Sequence, residues 1–285
     1  MDKPQKPHNK PQGSDVSPDT SAEELILPSL AQLYPPLSLG DLISETIPLG
    51  DTTRPGETGG RFSCLTTVAL IVSGSPEGVS TKLLRELVSQ TGFTLALDSG
   101  AELLAAAGLV PDLLLGDLDS ITPESLARLE ASGVPVLKHD AYKNATDVEL
   151  AIEELYTRGF RRFIATNVLG GRTDHALGSL AALAEAAFNR GMEVTLRDEH
   201  EACYFVSGSA QDEVLELEFS EGLPSHVSLI SWGGPSVVSL KGTEWELDRF
   251  SLSPYSARGV SNELRSPHLR LEVHKGSATV LLLLR

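Results

Sequence analysis

The feature that most constrains the fold of this chain is an alternation of short, largely apolar segments with segments of helical character between residues 67 and 198. The apolar segments are TVALIVSG (67–74), FTLALD (93–98), DLLLGD (112–117), PVLKHD (135–140), RFIATNVLGG (162–171) and MEVTLRD (192–198). Helices are predicted between them at 81–91, 101–108, 123–133, 146–159 and 175–191. Apolar strands that alternate with helices are typical of a parallel sheet covered on both faces. The sequence therefore predicts an α/β fold with a doubly wound, mainly parallel sheet.

The pattern changes after Glu199. Short runs with alternating apolar and polar residues follow, separated by turn residues, and no convincing helical pattern accompanies them. These runs are EVLELEF (213–219), HVSLISW (226–232), SVVSL (236–240), HLRLEVH (268–274) and ATVLLLL (278–284). Such alternation predicts a small antiparallel sandwich or barrel after the α/β region.

Three regions are predicted along the chain. Residues 1–61 form a leader that is disordered or partly ordered. Its first part is rich in Pro, Lys, Gln, Ser and Asp and offers little apolar surface to bury, and prolines interrupt the leucines that follow. Residues 62–199 form the α/β domain, and residues 200–285 form the β-sandwich domain.

Charge and cysteine content narrow the class of protein. The formal net charge of −16 argues against sequence-independent binding to nucleic acid and against docking on anionic lipid. Cys64 and Cys203 are the two cysteines, which makes a disulfide framework unexpected. No secretory signal or apolar run long enough to span a bilayer is apparent. We therefore expect a cytoplasmic protein with no nucleic-acid partner and no membrane partner.

Five aspartates in the α/β region occur where predicted strands end or predicted helices begin. Asp98 ends the FTLALD segment, Asp117 and Asp119 lie in GDLDS, Asp147 lies in NATD, and Asp174 lies in GGRTDH. An isolated aspartate at such a position is usually a turn or helix cap. The ordered set is harder to explain by capping, because ligands of open parallel sheets bind at the carboxyl ends of the strands. Convergent carboxylates suit Mg²⁺, which takes oxygen ligands together with substrate phosphates.

The loop that contains Asp174 also offers groups for a phosphate. Arg172 can present a forked pair of N–H groups, and Gly170 and Gly171 allow close approach of the backbone. No GxxxxGK[ST] loop and no protein-kinase motif set occur, which disfavours those two classes of phosphotransferase.

Several motifs taken together resemble the thiamine pyrophosphokinase (thiamine diphosphokinase) family. LDSGAELLAAAGLVPDLLLGDLDSI resembles the family stretch in which D-x-G precedes P-D-x-x-x-G-D-x-D-S. KNATDVELAI and LGGRTDHALGSL match the next two motifs in order, and KGTEWEL and GVSNEL resemble segments near the family's C-terminus. The resemblance runs from about Val68 to the C-terminus and omits the first 60 residues.

This resemblance implies an α/β domain followed by a β-sandwich, a homodimer, and an Mg²⁺-dependent transferase (kinase) that uses ATP as co-substrate and makes thiamine diphosphate and AMP. By motif, the metal and phosphate-site carboxylates would be Asp117, Asp119 and Asp147, with Asp98 and Asp174 completing the acidic cluster. Arg172, Gly171 and Asn144 would lie on the ATP side. Trp245 would stack on thiamine, and Ser261 and Asn262 would contact its pyrimidine. An aromatic face suits a flat cationic ligand.

One position departs from the family pattern. The family usually has an aspartate three residues before the aspartate that matches Asp147, and this chain has Asn144 there. Two alternatives therefore stay open beside the enzyme. One is a catalytically reduced relative that binds a nucleotide or thiamine and regulates a partner. The other is a different nucleotide-dependent transferase on the same scaffold, against which the retained Trp245, Ser261 and Asn262 argue.

Overall fold

The predicted alternation of strands and helices is present in the three-dimensional structure. The computed structural model describes residues 67–139, 145–208, 212–219 and 223–284, so the proposed leader (1–61), Cys64 and Asn144 lie outside the described residues. The α/β region consists of β1 (Val68–Val72), α1 (Thr81–Ser89), β2 (Phe93–Leu97), α2 (Gly100–Ala106), β3 (Leu113–Gly116), α3 (Pro123–Ala131), β4 (Val136–Lys138), α4 (Asp147–Thr157), β5 (Arg162–Thr166), α5 (Thr173–Phe188) and β6 (Glu193–Arg197).

These strands form a parallel sheet with the order β6-β5-β1-β2-β3-β4. Side chains on successive positions of a strand point to opposite faces, and both faces of this sheet are apolar. Leu70 and Val72 pack in one core cluster with residues from α1, α2 and α3. Ala69 and Ile71 pack in a second cluster with residues from α4 and α5. Helices therefore cover both faces, which confirms the doubly wound fold.

Side-chain caps set the starts of three helices. The hydroxyl oxygens of Ser80, Thr122 and Thr146 accept backbone N–H groups of the first turns of α1, α3 and α4. Thr146 also forms a capping box, because its own N–H donates to Glu149 Oε2 at 2.7 Å. Thr146 is thus the N-cap of α4, and Asp147 is the first residue of the helix.

The antiparallel region continues the same sheet. It contains β7 (Glu201–Ser207), β8 (Glu213–Glu218), β9 (His226–Lys241), β10 (Leu247–Leu252), β11 (Asn262–Glu263) and β12 (His268–Leu283). Strand β7 pairs antiparallel with β6 and with β12, and β12 pairs along most of its length with β9. The predicted boundary at 199/200 falls between β6 and β7, two strands that are hydrogen-bonded neighbours, and it stays a prediction.

The two long strands differ from the sequence-based prediction. HVSLISW and SVVSL were expected to be separate strands, as were HLRLEVH and ATVLLLL, but each pair lies within one strand of sixteen residues. The pairing of β12 with β9 shifts register twice between Val273 and Ser277, so bulges carry both strands through a bend that the sequence presents as turns. Strands β7, β10 and β11 were also missed.

Both halves of the long strands contribute to one apolar core. Leu229 and Val280 lie in the halves of β9 and β12 next to β7, whereas Leu240 and Leu271 lie in the other halves, and all four belong to one buried cluster. This arrangement places two β layers around a shared core, as in a sandwich. Among the described residues, no helix is long and apolar enough to cross a membrane.

Candidate active site

Four of the predicted aspartates converge at the carboxyl edge of the parallel sheet. Asp98 directly follows β2, Asp117 and Asp119 follow β3, and Asp147 begins the helix after β4. Burial is the main cause that raises the pKa of Asp98, and the charges of Asp147, Asp117 and Asp119 each raise it further, so the four carboxylates act on one another. Tertiary structure therefore brings together carboxylates that are up to about 50 positions apart in the sequence.

Asp98 lies at the centre of this cluster in a tightly packed turn. Its Oδ1 accepts the N–H of Leu118 at 2.9 Å, and both residues have positive φ angles of 43° and 67°. A Cβ at Gly116, where φ is 154°, would lie 1.8 Å from Asp98 Oδ1, so only glycine leaves room for this carboxylate. Burial and then the neighbouring carboxylates raise the pKa of Asp98 to about 6, although the Leu118 bond opposes the shift.

Asp117 and Asp119 form the more open part of the cluster. The N–H of Asp119 donates to Asp117 Oδ1 at 3.2 Å. The charge of Asp117 is the largest cause that raises the pKa of Asp119, and Asp147 adds to it. Mutual repulsion of this kind makes the fully ionised cluster electrostatically unfavourable in the absence of a cation.

This donor set fits Mg²⁺. Carboxylate oxygens are its preferred protein ligands, and a cation would relieve the repulsion that raises the pKa values of Asp98 and Asp119. Within the described ranges, no three or more Asp, Glu, His or Cys side chains already stand in an arrangement that could hold a metal ion. One or two carboxylates suffice for Mg²⁺ when substrate phosphates and water complete its coordination.

Asp174 lies apart from this cluster, in an ion pair at the start of α5. Arg172 donates from Nη2 to Asp174 Oδ2 at 2.6 Å and from Nε to Oδ1 at 3.1 Å. Hydrogen bonding to Arg172 lowers the pKa of Asp174 to about 2, and both side chains are largely exposed. Gly170 and Gly171, with φ angles of 103° and 66°, precede them in the loop after β5. The pair therefore places an exposed guanidinium at the carboxyl edge of the sheet.

Two buried groups at this edge were missed by the sequence analysis. Asn167 is 2% exposed, follows β5 directly, and donates two hydrogen bonds from its side chain to the loop after β1. Asp198 follows β6, and its Oδ1 accepts the N–H of Asn167 at 2.5 Å. An asparagine between an apolar strand and a Gly-Gly pair was the available signal, because asparagine tolerates the left-handed turn needed there.

The residues predicted for the thiamine side meet in the antiparallel region. Trp245 lies between β9 and β10 with 60% of its surface exposed. Asn262 is buried, and its side-chain amide bonds to the backbone of Trp245 and to the hydroxyl of Thr243. Ser261 is exposed in a left-handed conformation (φ 62°), and its N–H donates to Ser228 Oγ at 3.0 Å. Asn262 thus supports the Trp245 loop with the same atoms that were expected to face a ligand.

The two groups of candidate residues lie towards opposite ends of the sheet. Strand β3, which leads to Asp117 and Asp119, is separated from β9 by β2, β1, β5, β6, β7 and β12. At a spacing of about 4.8 Å per strand, this corresponds to a separation on the order of 30 Å along the sheet.

The chain is thus an α/β protein with clustered carboxylates at the carboxyl edge of its parallel sheet, and an antiparallel β region continues that sheet. Two family models match the chain, "Thiamin pyrophosphokinase, catalytic domain" at residues 84–196 and "Thiamin pyrophosphokinase, vitamin B1 binding domain" at residues 214–277. Together they match more than half of the chain. The chain belongs to the thiamine pyrophosphokinase family and is an enzyme of that type.

Individual relatives agree with this assignment. The thiamine pyrophosphokinase of Bacillus subtilis is 25% identical over 201 residues, which cover 68% of this chain and 88% of the relative. Thiamine pyrophosphokinase 3 of rice is 27% identical over 162 residues, or 54% of this chain and 59% of the relative.

Solved structures show the same fold. The Bacillus subtilis thiamine pyrophosphokinase structure has a TM-score of 0.67 at 21% identity and covers 76% of this chain and 99% of its own. The yeast thiamin pyrophosphokinase structure has a TM-score of 0.64 at 13% identity and covers 81% and 88%. The α/β and antiparallel regions of this chain therefore follow a known arrangement.

Proposed function

We propose that this chain transfers the diphosphate group of ATP to thiamine in the presence of Mg²⁺. The observation that carries this proposal is the cluster of Asp98, Asp117, Asp119 and Asp147, whose mutual repulsion calls for a cation at the sheet edge where α/β proteins bind ligands. The hydroxyl oxygen of thiamine would form a bond to the β-phosphorus of ATP. The bond between that phosphorus and the oxygen bridging to the α-phosphate would break, AMP would leave with that oxygen, and the proton of the thiamine hydroxyl would pass to solvent.

The acidic residues have distinct tasks in this proposal. Asp117, Asp119 and Asp147 would hold Mg²⁺, which when bound neutralises negative charge on the phosphates. Asp98 keeps the turn of Asp117 and Asp119 in place, because it accepts the N–H of Leu118 between them. Preorganised carboxylates of this kind need little rearrangement during the reaction.

Arg172 is proposed to contact the phosphates of ATP. Its guanidinium is exposed and already oriented by two hydrogen bonds to Asp174. A guanidinium has five N–H donors, so a phosphate oxygen can be bound while Asp174 keeps the side chain aligned. Asp174 would then contribute by positioning Arg172, and Gly171 would let the phosphate approach the backbone.

Trp245 and Ser261 are proposed to bind thiamine. The exposed indole of Trp245 offers an aromatic face for a cationic ring, and the Ser261 hydroxyl can hydrogen-bond to a ring nitrogen or amino group. Because Trp245 and the acidic cluster lie towards opposite ends of the sheet, we propose that the active site forms between the α/β edge of one subunit and the antiparallel region of another. A homodimer in sedimentation experiments is expected, and a fully active monomer would contradict this assembly.

The test of the reaction is direct. The chain is incubated with ATP, thiamine and Mg²⁺, and AMP and thiamine diphosphate are quantified with and without EDTA. Equal amounts of the two products, lost with EDTA, support the proposal. Binding of ATP and thiamine without release of AMP would instead favour the catalytically reduced relative, for which the specific observation is Asn144 at a position usually held by aspartate.

A further inference from the structure

The order of the parallel strands changes direction between β1 and β5, which makes their carboxyl ends the topological switch point of the sheet. These two strands are paired neighbours, but they lead to helices on opposite faces of the sheet. Leu83 and Leu84 of α1 pack in the cluster on one face, and Ala182 and Leu183 of α5 pack in the cluster on the other. Loops that leave neighbouring strands towards opposite faces open the crevice in which such sheets bind their ligands.

The side chain of Asn167 lies at this switch point and joins the loop after β5 to the loop after β1. Its Nδ2 donates to the carbonyl oxygens of Ser73 and Ser75, at 2.9 Å each. The backbone carbonyl oxygen of Asn167 accepts the N–H of Ser75 at 3.3 Å. Asn167 is 2% exposed, so these bonds are made away from water, where an unpaired carbonyl group is costly.

Asp198 holds Asn167 from the other side. Its Oδ1 accepts the N–H of Asn167 at 2.5 Å and the hydroxyl of Thr166 at 3.0 Å. Asn167 has a φ of 56°, a conformation that asparagine tolerates better than most residues with a side chain. The end of β5 is therefore fixed by side-chain hydrogen bonds to β6 and to the loop after β1.

The two loops also contact one another above Asn167. Ser75 Oγ donates to the carbonyl oxygen of Leu169. A Cβ at Gly170 would lie 1.5 Å from Glu77 Oε2, and one at Gly171 would lie 3.0 Å from Pro76 Cγ, so the loops pack closely. The loop after β5, which continues into Arg172, is thus held against the loop after β1.

We propose that Asn167 is a positioning residue for nucleotide binding. Its side chain aligns the loop that contains Gly171 and Arg172 by joining this loop to the Ser73–Ser75 backbone. This inference rests on the proposed function, in which that loop contacts the phosphates of ATP. Asn167 touches neither substrate. It acts by keeping the phosphate-contacting groups in one geometry, and small displacements of such groups weaken binding strongly.

The Asn167→Gly variant tests this role, since glycine tolerates the same φ and removes only the two bonds of Nδ2. We expect the KM for ATP to rise about tenfold while the KM for thiamine stays within about twofold. The affinity for ATP with Mg²⁺, measured by titration calorimetry without thiamine, should fall by the same factor. A matched control is Asp112→Ala, which removes a side-chain bond to the backbone N–H of Thr94 (2.7 Å) at the opposite edge of the sheet.

The outcomes separate the two levels of the proposal. If the natural chain releases no AMP, the proposed reaction fails, whereas calorimetry still compares the ATP affinities. If Asn167→Gly and Asp112→Ala lower the melting temperature alike and both leave ATP affinity unchanged, Asn167 is only structural and the inference is overturned.

Should Asn167→Gly not fold, Ser75→Ala decides, because it removes the bond to Leu169 alone. A rise of about threefold in the KM for ATP supports positioning, and an unchanged KM overturns it.

Discussion

The side-chain amide of Asn262 forms hydrogen bonds to both the N–H and the carbonyl oxygen of Trp245. Asn262 Oδ1 accepts the N–H of Trp245 at 3.1 Å, and Asn262 Nδ2 donates to the Trp245 carbonyl oxygen at 2.7 Å. Asn262 is 9% exposed, whereas Trp245 is 60% exposed. A buried amide thus fixes the backbone of a residue whose ring is open to solvent, which suits a platform for a flat ligand.

Replacing Asn262 with Ala should lower both stability and thiamine affinity. The variant removes the acceptor of the Trp245 N–H and one of two donors to the Trp245 carbonyl oxygen, which keeps its bond from the Thr243 hydroxyl, and we expect the free energy of unfolding to fall by about 1–3 kcal/mol. The KM for thiamine should rise more than the KM for ATP. Urea unfolding and steady-state kinetics measure the two effects. Asn189→Ala, at an exposed asparagine at the end of α5 whose side-chain amide bonds to Glu185, is the control and should lower stability by less than Asn262→Ala.

Replacing Asp117 or Asp119 with Ala should lower turnover by about 10²-fold or more, because each removes a charge that is proposed to hold the metal and phosphates. The measurement is the rate of AMP release at saturating ATP and thiamine. Glu130→Ala provides the comparison, as this exposed glutamate lies near the end of α3, at the other edge of the sheet. Near-normal turnover in both aspartate variants would rule out the assignment.

The raised pKa of Asp98 predicts a pH-dependent effect of Asp98→Asn on stability in the absence of metal. Since its pKa rises from 3.8 to about 6 on folding, the folded protein keeps a proton on Asp98 that the unfolded chain releases across this interval. That stabilisation is complete below about pH 4 and is lost as pH rises through about 6. Asparagine resembles the protonated form and keeps the acceptor for Leu118.

The variant should therefore gain stability relative to the natural chain between about pH 4 and pH 8, by about 1 kcal/mol after allowance for solvent screening. Urea unfolding in EDTA across this range is the measurement. Asp174→Asn is the control, because a pKa lowered to about 2 leaves Asp174 ionised throughout the interval in the folded protein and its contribution changes only at lower pH. Parallel stability curves for the natural chain and Asp98→Asn would contradict the prediction.

Asn144 is expected to raise the Mg²⁺ requirement while leaving activity intact. Asparagine keeps a carbonyl oxygen that can bind a hard cation, but it lacks the charge of aspartate. In a magnesium titration of AMP release, Asn144→Asp should reach half-maximal rate at lower Mg²⁺ with a similar plateau. A natural chain that stays inactive at every Mg²⁺ level beside an active variant would show that Asn144 marks a lost activity.

The α/β region and its acidic cluster could be predicted from local sequence for a simple reason. Strands such as LLLG (113–116) are buried on both faces, so their composition alone indicates a parallel sheet with helices on either side. Once the strands are known to be parallel, their carboxyl ends lie along one edge, and Asp98, Asp117 and Asp119 follow those ends directly. Strand composition predicts the parallel sheet, and the geometry of a parallel sheet then predicts which residues lie along its carboxyl edge.

The antiparallel region was less predictable because bulges do not follow a repeating pattern. Gly233, Gly234 and Pro235 resemble a turn in the sequence, yet they lie within β9, whose pairing with β12 is interrupted after Trp232 and resumes at Val237. A bulged strand continues past such residues because its partner supplies hydrogen bonds again beyond them, and local sequence does not contain that partner.

Local sequence was enough to predict the class of fold, the sheet edge near which the carboxylates lie, and the family to which the chain belongs. The raised pKa of Asp98, the pairing of Asp174 with Arg172 and the support of Trp245 by Asn262 became apparent in the three-dimensional structure. The tertiary structure likewise placed Asn167 against the Ser73 carbonyl, 94 positions away along the chain. The physical reason is that pKa values and buried hydrogen bonds depend on what surrounds a group in space, whereas strand and helix periodicity depends on neighbours in the chain.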